Sequence, residues 1–151
     1  MIVRKFSKED ARKASYLLRK VQREYMIQYY PKRIVEDFYK RNSPAQVIKK
    51  AETRDTFVAV EGKRILGINA LDGNEIRQYY VNPRYHKKGV GKALMRNIEK
   101  IAQRKHIRKL IVKSSINAEG FYKKMGFKRI RKIFDVRGKL RIPEILMEKK
   151  L

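Results

Sequence analysis

The chain has no cysteine and no tryptophan, and only four prolines and eight glycines in 151 residues. Without cysteine there is no disulfide, no thiolate metal site and no cysteine nucleophile. His86 and His106 have no second ligand at metal-binding spacing, so no metal is expected. A Gly-x-Ser-x-Gly elbow is missing, which removes the usual hydrolase serine. No apolar run is long enough to cross a bilayer, and the N-terminus runs straight into Arg4, Lys5 and Lys8. The expectation is no export signal, no membrane association and, by default, the cytoplasm.

Acids are the other shortage. Forty Lys and Arg stand against fifteen Asp and Glu, a formal charge of +25. A field of that sign draws anions such as phosphates, nucleic acid or acidic protein surfaces, and it disfavours a polycationic substrate. At 42% hydrophobic residues the chain is nonetheless rich enough to fold. Its length suits one domain spanning 1–151.

In chain order, Ile2 to Phe6 reads as a strand. Ser7 with Asp10 three residues on is a capping signal for a helix running to about Met26, with Ala14, Leu17, Leu18, Val21 and Tyr25 at helical spacing. Pro31 opens a second helix carrying Ile34, Val35 and Phe38, and Ser43-Pro44 caps a short third one with Val47, Ile48 and Ala51. From Thr56 the period changes to two. Turns at Glu61-Gly62-Lys63 and Asp72-Gly73-Asn74 then predict a three-stranded antiparallel meander ending in Glu75 to Val81.

After that strand comes Asn82-Pro83-Arg84-Tyr85-His86-Lys87-Lys88-Gly89-Val90-Gly91-Lys92, then a helix to Arg104 with Leu94, Ile98, Ile101 and Ala102 inward. Strand, basic glycine loop, helix is an order that aims backbone N–H groups at one spot beside a positive helix end, a site for phosphate or pyrophosphate. Two familiar phosphate loops are excluded. A P-loop needs glycine where His86 stands and Ser or Thr where Ala93 stands, and the dinucleotide fingerprint needs glycine where Leu94 stands. Lys92, Arg96, Lys100 and Arg104 recur every four residues and form one basic ridge. A strand at Lys109 to Ser114, parallel to the central one, precedes Asn117-Ala118-Glu119-Gly120-Phe121-Tyr122-Lys123-Lys124-Met125-Gly126-Phe127, a short helix closed by Gly126. A hairpin of Arg129 to Phe134 and Glu144 to Lys149, with a loop through Arg137-Gly138, ends the chain.

The run Val81-Asn82-Pro83-Arg84-Tyr85 followed by Gly89-x-Gly91 resembles the acyl-coenzyme A loop of the GNAT superfamily of N-acetyltransferases, with His86 where that family usually has Gln or Arg. Asn117, five residues before Tyr122 and followed by Gly126-Phe127, resembles its second coenzyme A motif, 26 residues after Gly91. The resemblance covers essentially the whole chain. It implies an α/β (α+β) GNAT fold, a mixed and mostly antiparallel twisted sheet of about seven strands flanked by four to five helices. The sheet would splay between the strand ending at Val81 and the strand at 109–114.

The same resemblance implies transfer of an acetyl group from acetyl-CoA directly to an amine, releasing coenzyme A. Tyr79, Tyr80 and Val81 would pair with the pantetheine. His86, Lys87, Lys88, Gly89, Val90, Gly91 and Lys92 would hold the pyrophosphate, and Asn117 and Tyr122 would touch the cofactor. Tyr122 is the candidate general acid and Glu75 the candidate base. Tyr25, Tyr29 and Tyr30 would wall the acceptor site. The charge points to an acceptor with an acidic face, a protein lysine or N-terminal amine or a nucleic-acid-associated target. The alternative is a basic nucleic-acid-binding protein on the same fold with little catalysis, motivated by the ridge and by Lys123, Lys124, Lys128, Arg129, Arg131 and Lys132.

Overall fold

A computed structural model describes residues 1–151. Seven strands form one sheet: β1 (Ile2–Lys5), β2 (Asp55–Glu61), β3 (Arg64–Asp72), β4 (Glu75–Val81), β5 (Lys109–Ser115), β6 (Lys128–Arg137) and β7 (Leu140–Lys150), in the order β1-β2-β3-β4-β5-β7-β6. Every neighbouring pair is antiparallel except β4 and β5. Helices α1 (Ala11–Glu24), α2 (Lys32–Lys40) and α3 (Pro44–Ala51) cover one face, and α4 (Val90–Arg104) and α5 (Glu119–Lys124) cover the other.

The two-residue period sorts the strands onto these faces. Val58, Val60 and Ile68 pack with Leu18, Val21, Ile34 and Val47 under α1–α3. Phe57, Leu71, Ile76 and Val112 pack with Met95, Ile98 and Tyr122 under α4 and α5.

The meander and its two glycine turns stand where the sequence puts them, with Gly62 at φ +58° and Gly73 at φ +61°. Ser43 caps α3, its hydroxyl accepting from Gln46 N–H at 3.2 Å. At Gly126 the C-terminal turn of α5 is closed as expected: Gly126 N–H donates to Lys123 O and Phe127 N–H to Tyr122 O, the double bond of a Schellman turn. α4 ends the same way on His106, at φ +59°.

Two expectations need correction. α1 stops at Glu24, and a 3₁₀ turn follows at Met26–Gln28. The last hairpin is longer than expected, running from Lys128 to Arg137 and from Leu140, around a tight turn with Gly138 at φ +57°. Pro143 falls inside β7. It lies one residue past the last β5–β7 pair, Ser115 with Glu144, so no strand on that side asks for its missing N–H.

The feature that makes a site is a gap. β4 pairs with β5 only at Glu75–Ile111 and Ile76–Val112, and from Arg77 onward it has no partner on that side. Opposite, the β3–β4 register slips between Ile68 and Ala70, so that Gln78 and Tyr79 stand against Asn69 alone. Gln78 takes φ +52° there, the bulge that bends β4 away from β5.

Candidate active site

The loop after β4 is built to leave donors unused. Asn82 accepts from Arg84 N–H at 3.1 Å, and its own N–H reaches Leu66 O at 2.9 Å, fixing the chain as it leaves the sheet. Lys87 (φ +61°) and Gly89 (φ +84°) then turn the backbone twice through the left-handed region into α4. The result is that the N–H groups of Lys87 through Lys92 have no acceptor within the protein; the first intrahelical bond is Ala93 N–H to Gly89 O. Successive free N–H groups in a nest at a helix N-terminus bind anions.

The two glycines serve different ends. Gly89 has open space around it and is glycine for its φ. At Gly91 a Cβ would stand 3.0 Å from Phe121 Cε1, so packing against α5 already disfavours a side chain there. Val90 is 2% exposed and belongs to the core with Leu66 and Leu94, leaving only its N–H for a ligand. His86 is exposed, with Nε2 3.2 Å from Val81 O and the ring edge-on to Tyr25 at 5.2 Å. It braces the loop.

Below the loop, Tyr79 donates to Gly91 O and packs edge-on to Phe121 and Tyr122 at 5.4 and 5.8 Å. Burial pushes the Tyr79 hydroxyl well above its ordinary pKa, so it stays a donor. Tyr122 is buried against Phe121 and Phe127, and burial raises its hydroxyl strongly too. Asn117 Oδ1 is buried without a partner.

A cleft of about 850 Å³ opens between β4, β5 and β7 under α2 and α3. Tyr30, Tyr79, Tyr80, Tyr122 and Glu75 line it. Tyr30 is 4% exposed and acts as a clamp: its hydroxyl donates to Pro143 O and accepts from Ile116 N–H, both at 2.9 Å. Tyr25 and Tyr29 are not in the cleft lining, although the Tyr25 hydroxyl reaches the Asn117 side chain, next to Ile116. Their rings meet edge-on at 5.5 Å, and Tyr25 also faces His86 on the loop side of the gap.

Glu75 is held by cations, with Arg77 Nε at 3.2 Å and Lys113 Nζ at 4.0 Å. The sequence reading overlooked a second carboxylate, Glu144. Burial, with the nearby Asp135 charge next in weight, raises its pKa from the ordinary carboxyl range to about 7. A readable signal existed: Glu144 shares the face of buried Ile142 in a period-two strand.

The basic ridge Lys92, Arg96, Lys100 and Arg104 is exposed, and none of the four is in an ion pair. A second groove, on the outer flank of the loop, has Arg12, Lys20, Arg64, Arg84 and Lys88 among its lining and no carboxylate. No helix is long and apolar enough to cross a membrane.

Comparison with known proteins agrees with this geometry. Residues 7–151 match the family described as the acetyltransferase (GNAT) domain. A search of curated protein sequences found no match. Among solved structures, the fold is similar to a GCN5-related N-acetyltransferase from Rhodopseudomonas palustris, at 22% identity and TM-score 0.92, covering 99% of this chain and 95% of that one. It is similar to the PaiA N-acetyltransferase from Thermoplasma acidophilum in complex with coenzyme A, at 23% identity and TM-score 0.79, covering 99% and 98%. A GNAT acetyltransferase from Elizabethkingia anophelis with acetyl-CoA bound is 18% identical with TM-score 0.57, covering 72% and 84%. The reading of a nucleic-acid-binding protein with little catalysis finds no support among these relatives. With the splayed β4–β5 pair, the donor-rich loop and the family match over residues 7–151, the chain belongs to the GNAT family of acetyltransferases.

Proposed function

We propose that the chain moves an acetyl group from acetyl-CoA directly to an amine, both substrates being bound at once, and that it does so as one domain. The observation that carries this is the run of free N–H groups from Lys87 to Lys92 at the mouth of the β4–β5 gap. Two diphosphate charges can be met there by donors already in place. Coenzyme A in the Thermoplasma relative and acetyl-CoA in the Elizabethkingia one support that assignment.

Acetyl-CoA supplies an activated acyl group with a thiolate leaving group. The protein must hold its phosphates, accept a proton from the amine, and stabilise charge at the carbonyl oxygen and the sulfur. The loop N–H groups hold the phosphates, and the edge of β4 from Arg77 onward, which no strand pairs and where only His86 Nε2 reaches Val81 O, receives the pantetheine as an added strand. Asn117 Oδ1 is free to accept from it.

Glu144 is the better base. Glu75 is neutralised by Arg77 and Lys113, whereas Glu144 changes charge near neutral pH, where a general base is most effective. Tyr122 keeps its proton at any working pH. A thiolate with a pKa of about 8.5 cannot fully take that proton, so the hydroxyl acts as a hydrogen-bond donor to the sulfur as charge builds. The +25 charge favours a protein amine, lysine or N-terminal, in acidic surroundings.

The test is release of free thiol from acetyl-CoA with a lysine-bearing acidic peptide, on the wild type and on Gly89→Val. Peptide-dependent release that drops at least tenfold in the variant supports the reading. Release at the same rate without any amine would show a hydrolase instead.

A further inference from the structure

The cleft has a second electrostatic end. α3 presents Lys50, one turn after buried Val47, and the ammonium is in no ion pair; its one protein partner is Arg41 O at 2.8 Å. Arg41 at the end of α2, Arg54 before β2, Arg77 on β4 and Arg137 at the end of β6 line the same cleft. Their carboxylate partners are already committed: Asp37 to Arg41 at 2.9 Å, Asp72 to Arg54 at 3.6 Å, Glu75 to Arg77 at 3.2 Å, Asp135 to Arg137 at 2.9 Å. Donors are left over. Arg41 Nη2 is buried with no acceptor, and Arg77 Nε lies near Glu75 but off the line of a hydrogen bond.

Four guanidinium groups surround one half-buried ammonium that has no carboxylate of its own, so placing Lys50 there works against folding. Burial first, then the fields of Arg41, Arg54, Arg137 and Arg77, push Lys50 down to about 8. Lys49 and Lys113 line the cleft as well, and the lining carboxylates are Glu52, Glu75, Asp135 and Glu144, so cations outnumber acids on its wall.

We infer that the cleft binds an acceptor carrying an anionic group, a carboxylate or a phosphate, close to its amine, and that Lys50 with Arg41 receives that group while the amine lies toward Glu144. This rests on the reading of the cleft as the acceptor site. The anion completes the cluster, and bound anion restores the proton on Lys50. Selection between acceptors then comes from the cationic end, and proton removal from the carboxylate end.

Three amines of similar reach separate the possibilities: butylamine, 4-aminobutyrate and 3-aminopropyl phosphate. Acetyl transfer is measured with wild type, Lys50→Met and Lys50→Arg, and binding of the two anionic amines to the coenzyme A complex is measured by calorimetry at pH 7 and pH 9. The inference predicts kcat/KM at least tenfold higher for one or both anionic amines than for butylamine. Lys50→Met collapses that ratio toward one and Lys50→Arg restores it. Binding of the anionic amine by the wild type weakens about tenfold from pH 7 to pH 9, as Lys50 loses its proton, and Lys50→Arg removes that dependence. Preference for the phosphate or the carboxylate identifies which anion the site takes. The melting temperature of Lys50→Met at pH 7 rises, because a repelled cation is gone. Equal kcat/KM for all three amines, or anion binding unchanged in Lys50→Met, overturns the inference. If no amine is acetylated while Lys50-dependent anion binding persists, the transfer reading fails and the anion site stands.

Discussion

Gly91 lies against the ring of Phe121, so closely that a Cβ would stand 3.0 Å from Cε1 and 3.2 Å from Cζ. The donor loop and the helix bearing Phe121 and Tyr122 are therefore one packed unit, joined also by Tyr79, which donates to Gly91 O and touches Phe121 and Tyr122. Gly91→Ala should destabilise the protein by about 1–3 kcal/mol through overpacking, and Phe121→Leu in the same chain should recover part of that loss. Chemical denaturation of both variants checks the coupling. Gly89→Ala, with open space but φ +84°, should cost about 1 kcal/mol with no rescue by Phe121→Leu.

Glu144 should set the acid limb of the pH–rate profile. A base works when deprotonated, so kcat/KM should rise tenfold per unit below about pH 7 and level off above it. Glu144→Gln should abolish that limb and lower the rate about 10²-fold, while Glu75→Gln should cost less than tenfold. An unchanged limb in Glu144→Gln would remove Glu144 from the mechanism.

The same residue has a stability signature. Its folded pKa is raised, so its contribution is fully present below the unfolded value near 4.5 and is lost as pH rises through about 7. Glu144→Gln should therefore be more stable than wild type at pH 8, by about 1–2 kcal/mol after allowing for solvent screening, and no more stable at pH 4. Paired melting curves at the two pH values decide it.

Tyr122→Phe removes a hydroxyl and leaves the ring packed on Tyr79, Phe121 and Phe127. Stability should change by about 1 kcal/mol or less, whereas kcat should fall about 10-fold to 10²-fold with the KM for acetyl-CoA little altered. Loss of binding instead would mark Tyr122 as structural.

Asp10 ties the first strand to the first helix. Arg4 Nη1 and Nη2 each donate to its carboxylate at 2.8 Å, and Ser7 N–H does so at 2.8 Å. The Arg4 hydrogen bond, as the largest cause, holds the Asp10 pKa below its ordinary value. Its contribution is complete above the unfolded pKa near 3.8 and is lost as pH falls through the lower folded one. Asp10→Asn should cost about 1–3 kcal/mol at pH 7, and the difference from wild type should shrink below about pH 4.

Much of this architecture was legible because local signals and global fold agree. The alternation that places Val58 and Phe57 on opposite faces, the turns at Gly62 and Gly73, the Ser43 cap and the Gly126 turn can each be read from a few neighbouring residues. The loop from Lys87 to Lys92 was legible for the same reason. What the sequence hid depends on distant partners. Whether Tyr25 meets Tyr30 or His86 is decided by the end of α1 at Glu24, a boundary that periodicity locates poorly. Glu144 and Lys50 looked like surface charges in a chain full of them. They matter because β7 and α3 fold over a gap that exists only once β4 parts from β5.

The central claim is that coenzyme A sits on the N–H groups of Lys87 to Lys92. Calorimetric titration of the wild type with coenzyme A and with pantetheine, which lacks the diphosphate and the adenosine 3′-phosphate beyond it, tests it most directly when Gly89→Val is titrated alongside. The account predicts that coenzyme A binds at least 10²-fold more tightly than pantetheine, and that Gly89→Val, kept folded as judged by its melting curve, loses most of that advantage. Equal affinity for the two ligands, or an advantage untouched by Gly89→Val, would contradict it.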